Sequence, residues 1–276
     1  MAAAGAGAED AALAAALAGH RVLLAYGLFG EVVAALGPIG LDYMGEQAGW
    51  LRRLLGERRA VALPRLPTAA PVADNAQRLG RALLSDPRPA VVVGHSKGGL
   101  EVLAALLDAE AAARCRGFLA LQAPFFGSPV ADAVCGSRPV FGAADRVLRL
   151  LRLGSGQGLR DLTAPVRAAW MREHAAAVAA LAGRLPMLCA ATVVDEAARG
   201  PDRHGAGPSD GLVPLASAPL PGVPSVVLRG GHRALVSRAP GRDPVAVLRR
   251  LLRRLLGPAA ATPPSPPAPA PPPRAP

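Results

Sequence analysis

The chain has 276 residues, 51% of them hydrophobic, enough for one large α/β domain with its own core. Aromatic residues are only 3%, so the core must be mostly Ala, Val and Leu, and rings for stacking nucleic-acid bases are scarce. The formal net charge of +11 comes nearly all from arginine, but Arg52, Arg53, Arg58, Arg59, Arg146, Arg149, Arg152, Arg249/Arg250 and Arg253/Arg254 are scattered. They read as solvated helix faces, with an anionic partner as the competing reading, and no nucleic-acid partner is expected.

The first ten residues read as a loose leader and residues 11–18 as a short helix, together a leader over 1–20. Glu9 and Asp10 precede the Ala/Leu run, no positive charge opens the chain, and the run is too short to span a membrane. A cytoplasmic protein without a signal peptide is expected, with transient contact to a lipid surface left possible. Strands are predicted at Arg21–Ala25, Ala60–Leu63, Ala90–Gly94, Gly117–Gln122, Met187–Val194 and Ser225–Arg229. Helices are predicted at 44–55, 72–84, 97–113 and 243–256, with Asp74 and Gln77 resembling a capping pair at one helix start. Strands alternating with helices imply βαβ units and a mainly parallel sheet over 21–257. Residues 129–182 interrupt the rhythm with amphipathic helical pattern, read as a cap or lid inserted in the domain, with ordinary crossover helices as the alternative. The Pro/Ala-rich stretch 258–276 reads as an extended disordered tail. Cys115, Cys135 and Cys189 are odd in number and without framework spacing, which suits a reducing compartment. One disulfide between two of them is left open.

The most informative segment is Gly94-His95-Ser96-Lys97-Gly98-Gly99. Four apolar β-formers, Ala90 to Val93, precede it and a helical pattern from Leu100 follows. G-x-S-x-G between a buried strand and a helix is the signature of a sharp turn that lifts a serine hydroxyl above the sheet. The glycines remove side chains that would clash there. The helix N-terminus, with the Lys97 amide first, faces any oxyanion that develops. Phosphate cradling is excluded by the lack of G-x-x-x-x-G-K-[ST].

A serine needs a base, and the base an orienting acid, in the chain order Ser, Asp or Glu, His. Of the histidines after Ser96, His232 follows the last strand in Gly230-Gly231-His232 and is preferred to His174 and His204. For the acid, Asp210 is favoured by the turn at Gly211 and the stiff Val213-Pro214; Asp195 and Glu196 compete, and Asp202 less so. A second oxyanion donor is expected from the loop Tyr26-Gly27-Leu28-Phe29-Gly30, at the Leu28 amide, unless this is a plain β-to-α turn. Phe29, Phe125 and Phe126 are the expected substrate-binding side chains.

Five separated segments together resemble α/β-hydrolase lipases and esterases, particularly bacterial triacylglycerol lipases: Tyr26-Gly27-Leu28, the elbow at Ser96, Ala123-Pro124-Phe125-Phe126-Gly127-Ser128, Asp210-Gly211-Leu212-Val213 and Gly231-His232. The resemblance covers about residues 21–240. It implies an α/β-hydrolase fold and a carboxylic-ester hydrolase using Ser96, Asp210 and His232, with Leu28 and Lys97 amides as oxyanion donors. An acyltransferase or thioesterase would use the same residues, and a non-catalytic binding protein is the third reading. Tyr26 stands where the family has histidine, and Lys97 where an uncharged residue is commoner, a change expected to bear on substrate preference. No carboxylate follows His232 before Asp243, so no calcium is expected, nor any other metal or cofactor. The expected partner is a small-molecule ester; the oligomeric state is open.

Overall fold

A computed structural model describes residues 2–28, 43–150, 153–194 and 207–257. The predicted tail at 258–276 lies outside them. The chain opens on helix α1 (Ala2–Ala16) and strand β1 (Arg21–Ala25), followed by α2 (Gly45–Leu55), β2 (Val61–Ala62) and α3 (Val72–Leu84). Next come β3 (Ala90–His95), α4 (Lys97–Ala105), α5 (Ala109–Ala113) and β4 (Cys115–Leu121). Helices α6 (Pro129–Gly136), α7 (Arg138–Leu150), α8 (Gln157–Arg160), α9 (Ala164–Glu173) and α10 (Ala175–Arg184) lead to β5 (Met187–Val193), β6 (Ser225–Arg229) and α11 (Pro244–Leu256).

The strands form one parallel sheet in the order β2-β1-β3-β4-β5-β6. Helices cover both faces, which explains why the central strands read as unbroken apolar runs: β1 and β3 are buried at every position. Alternate residues feed two cores. Leu23, Val92, Phe118 and Ala120 pack with α3 and α4, whereas Val22, Leu24, Val91, Val93 and Leu119 pack with α1, α2 and α11. Helix α11 presents Leu248, Leu251, Leu252 and Leu255 to that second core, a single face at helical spacing. The strand order reverses at β1: the chain runs from β1 out to β2, then returns to β3 on the other side. Loops leaving β1 and β3 therefore diverge at the carboxyl end of the sheet and open a crevice, the usual ligand position in such sheets.

Several local expectations differ from the structure. The N-terminal helix starts at Ala2, and its far end is held rather than loose. Leu13 and Leu17 are fully buried, Asp10 accepts from Arg249 at 2.6 Å, and Glu9 pairs with Arg253 at 2.5 Å. Asp74 does not cap α3; the Val72 amide at its start donates to Asp161 Oδ2 at 2.7 Å, a cap from 89 residues away that no local pattern announces. The predicted helix 97–113 is two helices, because the Asp108 side chain accepts from the Ala111 amide at 2.9 Å and starts a new one. All three cysteines are free, with Cys115 and Cys189 buried in the core. Between β4 and β5, α9 and α10 send Met171, Val178 and Leu181 into the main core as crossover helices do, whereas α7 buries only Leu148. No described helix is long and apolar enough to cross a membrane.

Candidate active site

The break between β3 and α4 is a single residue, Ser96. Its backbone has φ 53° and ψ −127°, a region that a side-chain-bearing residue occupies only when its surroundings impose it. The imposition is visible. The Ser96 amide donates to Leu121 O at 2.8 Å, pinning the turn to β4. A Cβ on Gly94 would meet Gly99 Cα at 2.8 Å, and one on Gly98 would meet the Ala25 carbonyl oxygen at 2.6 Å. On the facing loop, a Cβ on Gly27 would stand 2.7 Å from Ser96 Cβ. The glycines thus let the turn close and the loop after β1 come up against it.

Two further loops complete the arrangement. Ser96 Oγ lies 2.8 Å from His232 Nε2, and His232 Nδ1 lies 2.8 Å from Asp210 Oδ2. Asp210 is buried, and its other oxygen accepts from the amides of Leu212 (2.9 Å) and Val213 (2.8 Å). A carboxylate held this way stays an acceptor, so His232 carries its proton on Nδ1 and turns the bare Nε2 toward the Ser96 hydroxyl. The turn at Gly211, with φ 97°, makes the Leu212 and Val213 amides available to it. The residues separated by 136 and 22 positions in the chain are thus brought into one hydrogen-bonded row.

Lys97 is the first residue of α4, so its amide has no acceptor within the helix. Among the described residues neither that amide nor the Leu28 amide donates a hydrogen bond. Leu28 and Ser96 border the same cleft, of about 480 Å³, with His232, Leu212, Arg233 and Arg242.

Around this row lies a buried polar network that the motifs do not announce. Tyr43 Oη accepts from the Gly27 amide at 3.0 Å and contacts His95 Nδ1. Both partners of His95 Nε2, the His232 carbonyl oxygen (2.9 Å) and Gln122 Oε1 (3.2 Å), are acceptors. His95 therefore bears its proton on Nε2 and receives the Tyr43 hydroxyl proton at Nδ1. Burial, reinforced by the neighbouring His232, pushes His95 down to about 3, so the ring is neutral. Gln122 directs its amide nitrogen to Asp210 Oδ2 (3.1 Å), the Gly231 carbonyl (3.0 Å) and Thr192 Oγ1. It does so from φ 50°, a second left-handed residue beside the site.

No family model matches the chain, and no curated protein matches it. Solved structures do. A metagenomic carboxyl esterase superposes with a TM-score of 0.63 at 22% identity, over 88% of this chain and 75% of its own. The mature lipase of Bacillus licheniformis gives 0.54 at 19% identity, over 77% of this chain and 84% of its own. Lipase 1 of Pelosinus fermentans gives 0.54 at 11% identity, over 86% and 98%. The chain has the α/β-hydrolase fold.

Within that α/β-hydrolase fold the remaining predicted residues separate. Phe125 is fully buried in the core, where its carbonyl accepts from Arg167 at 3.3 Å. Phe126 lines a different cavity, of about 330 Å³, with Met171, Val178 and Pro221. Neither borders the cleft at Ser96: the segment Ala123–Ser128 turns away from it, the Phe126 amide donating to Ser217 O at 3.2 Å. Phe29 lies outside the described residues, as do Asp195, Glu196, Asp202 and His204. His174 stacks on Trp170 with ring centres 4.3 Å apart, in the helical connection, and does not line the cleft. The Lys97 side chain does not face the cleft either. It is buried against Glu101, which also accepts from Asn75 Nδ2 at 2.8 Å. That ion pair lies within α4, and Glu101 in turn links the helix to α3 through Asn75, so the lysine beside the serine is a packing feature, and the expected link to substrate preference through its side chain has no contact to rest on among the described residues.

Proposed function

We propose that the protein is a serine hydrolase of carboxylic esters, with Ser96 as nucleophile, His232 as general base and Asp210 as its orienting acid. The observation that carries this reading is the pair of 2.8 Å contacts linking Ser96 Oγ, the His232 ring and Asp210. The esterase and lipase names borne by the similar solved structures agree with it.

In this mechanism the ester carbonyl enters the cleft above Ser96. The hydroxyl oxygen attacks the carbonyl carbon as His232 Nε2 takes the proton, and Asp210 stabilises the imidazolium. The Leu28 and Lys97 amides, which have no other acceptor among the described residues, hold the oxyanion, aided by the positive end of α4. The imidazolium gives its proton to the departing alkoxide, leaving the acyl group on Ser96. Water, deprotonated by His232, attacks that acyl carbon; the bond to Ser96 Oγ breaks, His232 returns the proton to that oxygen, and the acid leaves.

The test is hydrolysis of p-nitrophenyl esters by the purified chain beside Ser96→Ala, with fluorophosphonate labelling. Labelling at Ser96 is expected, and the variant should lose on the order of 10³-fold or more in kcat. Equal rates in the two proteins would overturn the reading.

A further inference from the structure

The charges around the cleft are one-sided. Arg233 and Arg242 both border it, and no aspartate or glutamate does among the described residues. Both arginines are exposed. Among the described residues the Arg233 side chain makes one hydrogen bond, from Nη2 to Ser237 Oγ at 3.1 Å, and no ion pair. Arg242 has no side-chain hydrogen bond and no ion pair among the described residues. Its guanidinium carbon lies 4.0 Å from where a Cβ on Gly230 would stand, over the stretch that carries His232. The contrast is with Arg238, between them in sequence, which takes the nearby carboxylates: Glu46 at 2.6 Å and Asp243 at 3.6 Å. Asp210, behind His232, is already engaged by the Gln122 amide, the His232 ring and two backbone amides. Among the described residues, therefore, two guanidinium groups with no carboxylate partner border the space in which the proposed substrate reacts. Apolar Leu28 and Leu212 line it as well.

We infer, building on the proposed esterase reading, that the preferred substrate is an ester bearing an anionic group, carboxylate or phosphate, which Arg233 and Arg242 bind while the ester carbonyl lies at Ser96. Arginine suits this role because its planar fork meets either anion with paired hydrogen bonds and keeps its charge at any working pH. Exposure admits water and salt, so the attraction is screened and its contribution to selectivity is moderate.

The matched substrates are p-nitrophenyl butyrate, mono-p-nitrophenyl succinate and the analogue in which a phosphonate replaces the free carboxylate. At low salt, at least one anionic ester is expected to exceed the butyrate about tenfold in kcat/KM, chiefly through KM, with the advantage shrinking as sodium chloride is added. Whichever anionic ester leads assigns the anion. In the Arg233→Gln/Arg242→Gln double variant the ratio of anionic to neutral kcat/KM should fall to about one. Ser96-dependent hydrolysis of butyrate with no anionic preference, or with a preference that the double variant retains, would overturn this inference and leave the esterase reading standing. No hydrolysis of any ester together with no fluorophosphonate labelling would overturn both.

Discussion

The Nε2–H of His95 donates to the backbone carbonyl of His232 at 2.9 Å, so the residue before the proposed nucleophile holds the main chain of the proposed base. The two rings lie 5.0 Å apart. The full set of contacts around the ring needs His95 neutral, since Nδ1 must stay free to accept from Tyr43. Protonation would set a second donor against the tyrosine and bury a charge beside His232.

That requirement makes stability depend on pH. His95 is pushed from its ordinary 6.5 down to about 3 by burial first and His232 second. Between those values the unfolded chain binds this proton and the folded chain does not. The stabilisation is therefore complete above pH 6.5 and is lost as pH falls toward 3, at up to about 1.4 kcal/mol per pH unit. Urea midpoints between pH 7.5 and 4 should fall more steeply for the wild type than for His95→Gln, the carboxylates being common to both. Parallel slopes would show that His95 takes up its proton without difficulty in the fold.

Tyr43 joins the loop after β1 to the elbow, accepting from the Gly27 amide at 3.0 Å and donating to His95. Tyr43→Phe leaves both groups buried and unpaired, at a cost of about 1–3 kcal/mol. Part of that cost falls on the position of the Gly27–Leu28 backbone, which carries a proposed oxyanion donor. A roughly tenfold lower kcat on a p-nitrophenyl ester with little change in KM is the expected outcome. A lowered melting temperature with kcat intact would confine Tyr43 to folding.

The parts of this fold legible in the sequence are those governed by local chemistry. β1 and β6 match their predicted bounds because apolar runs ended by turn residues define them. Ser96, Asp210 and His232 follow from glycines and turns that a strained elbow and a tight loop require. Long-range relations are not written in any short window. Asp161 caps α3 from another part of the chain, Tyr43 reaches His95 across 52 positions, and Asn75 reaches Glu101 across 26. Phe125 misleads for a similar reason: position beside the elbow's neighbouring strand suggests a pocket wall, but the peptide after Gln122 turns the ring into the core. Gln122 was the detectable one, an amide ending the apolar run Phe118–Leu121 in register with the elbow, His95 pairing with Leu121.

The pair of Lys97 and Glu101 has side chains only 1% and 2% exposed. Removing one member leaves the other buried and uncompensated, typically about 3–5 kcal/mol, whereas replacing both with apolar residues of similar size is far milder. Glu101→Leu alone should therefore lower stability more than the double variant Lys97→Met/Glu101→Leu. Denaturant unfolding of the wild type, both single variants and the double completes the cycle. If the double variant were as unstable as the sum of the singles, the two charges would not be coupled.

Gln122 gives the most direct test of how the network serves the proposed chemistry. Its amide nitrogen reaches Asp210 Oδ2 at 3.1 Å and the Gly231 carbonyl at 3.0 Å, one group steadying both the acid and the loop that carries the base. Gln122→Met preserves much of the volume and the strained φ but deletes the donor. Asp210 keeps its amides from Leu212 and Val213, so the acid stays placed, and the loss should be partial: about 10- to 100-fold in kcat. Gln122→Gly separates the two contributions, since glycine adopts φ 50° without strain and also lacks the amide. If positioning matters, both variants lose kcat although their melting temperatures differ. Recovery of kcat in the glycine variant would instead trace the loss to backbone strain and remove Gln122 from the site's working parts.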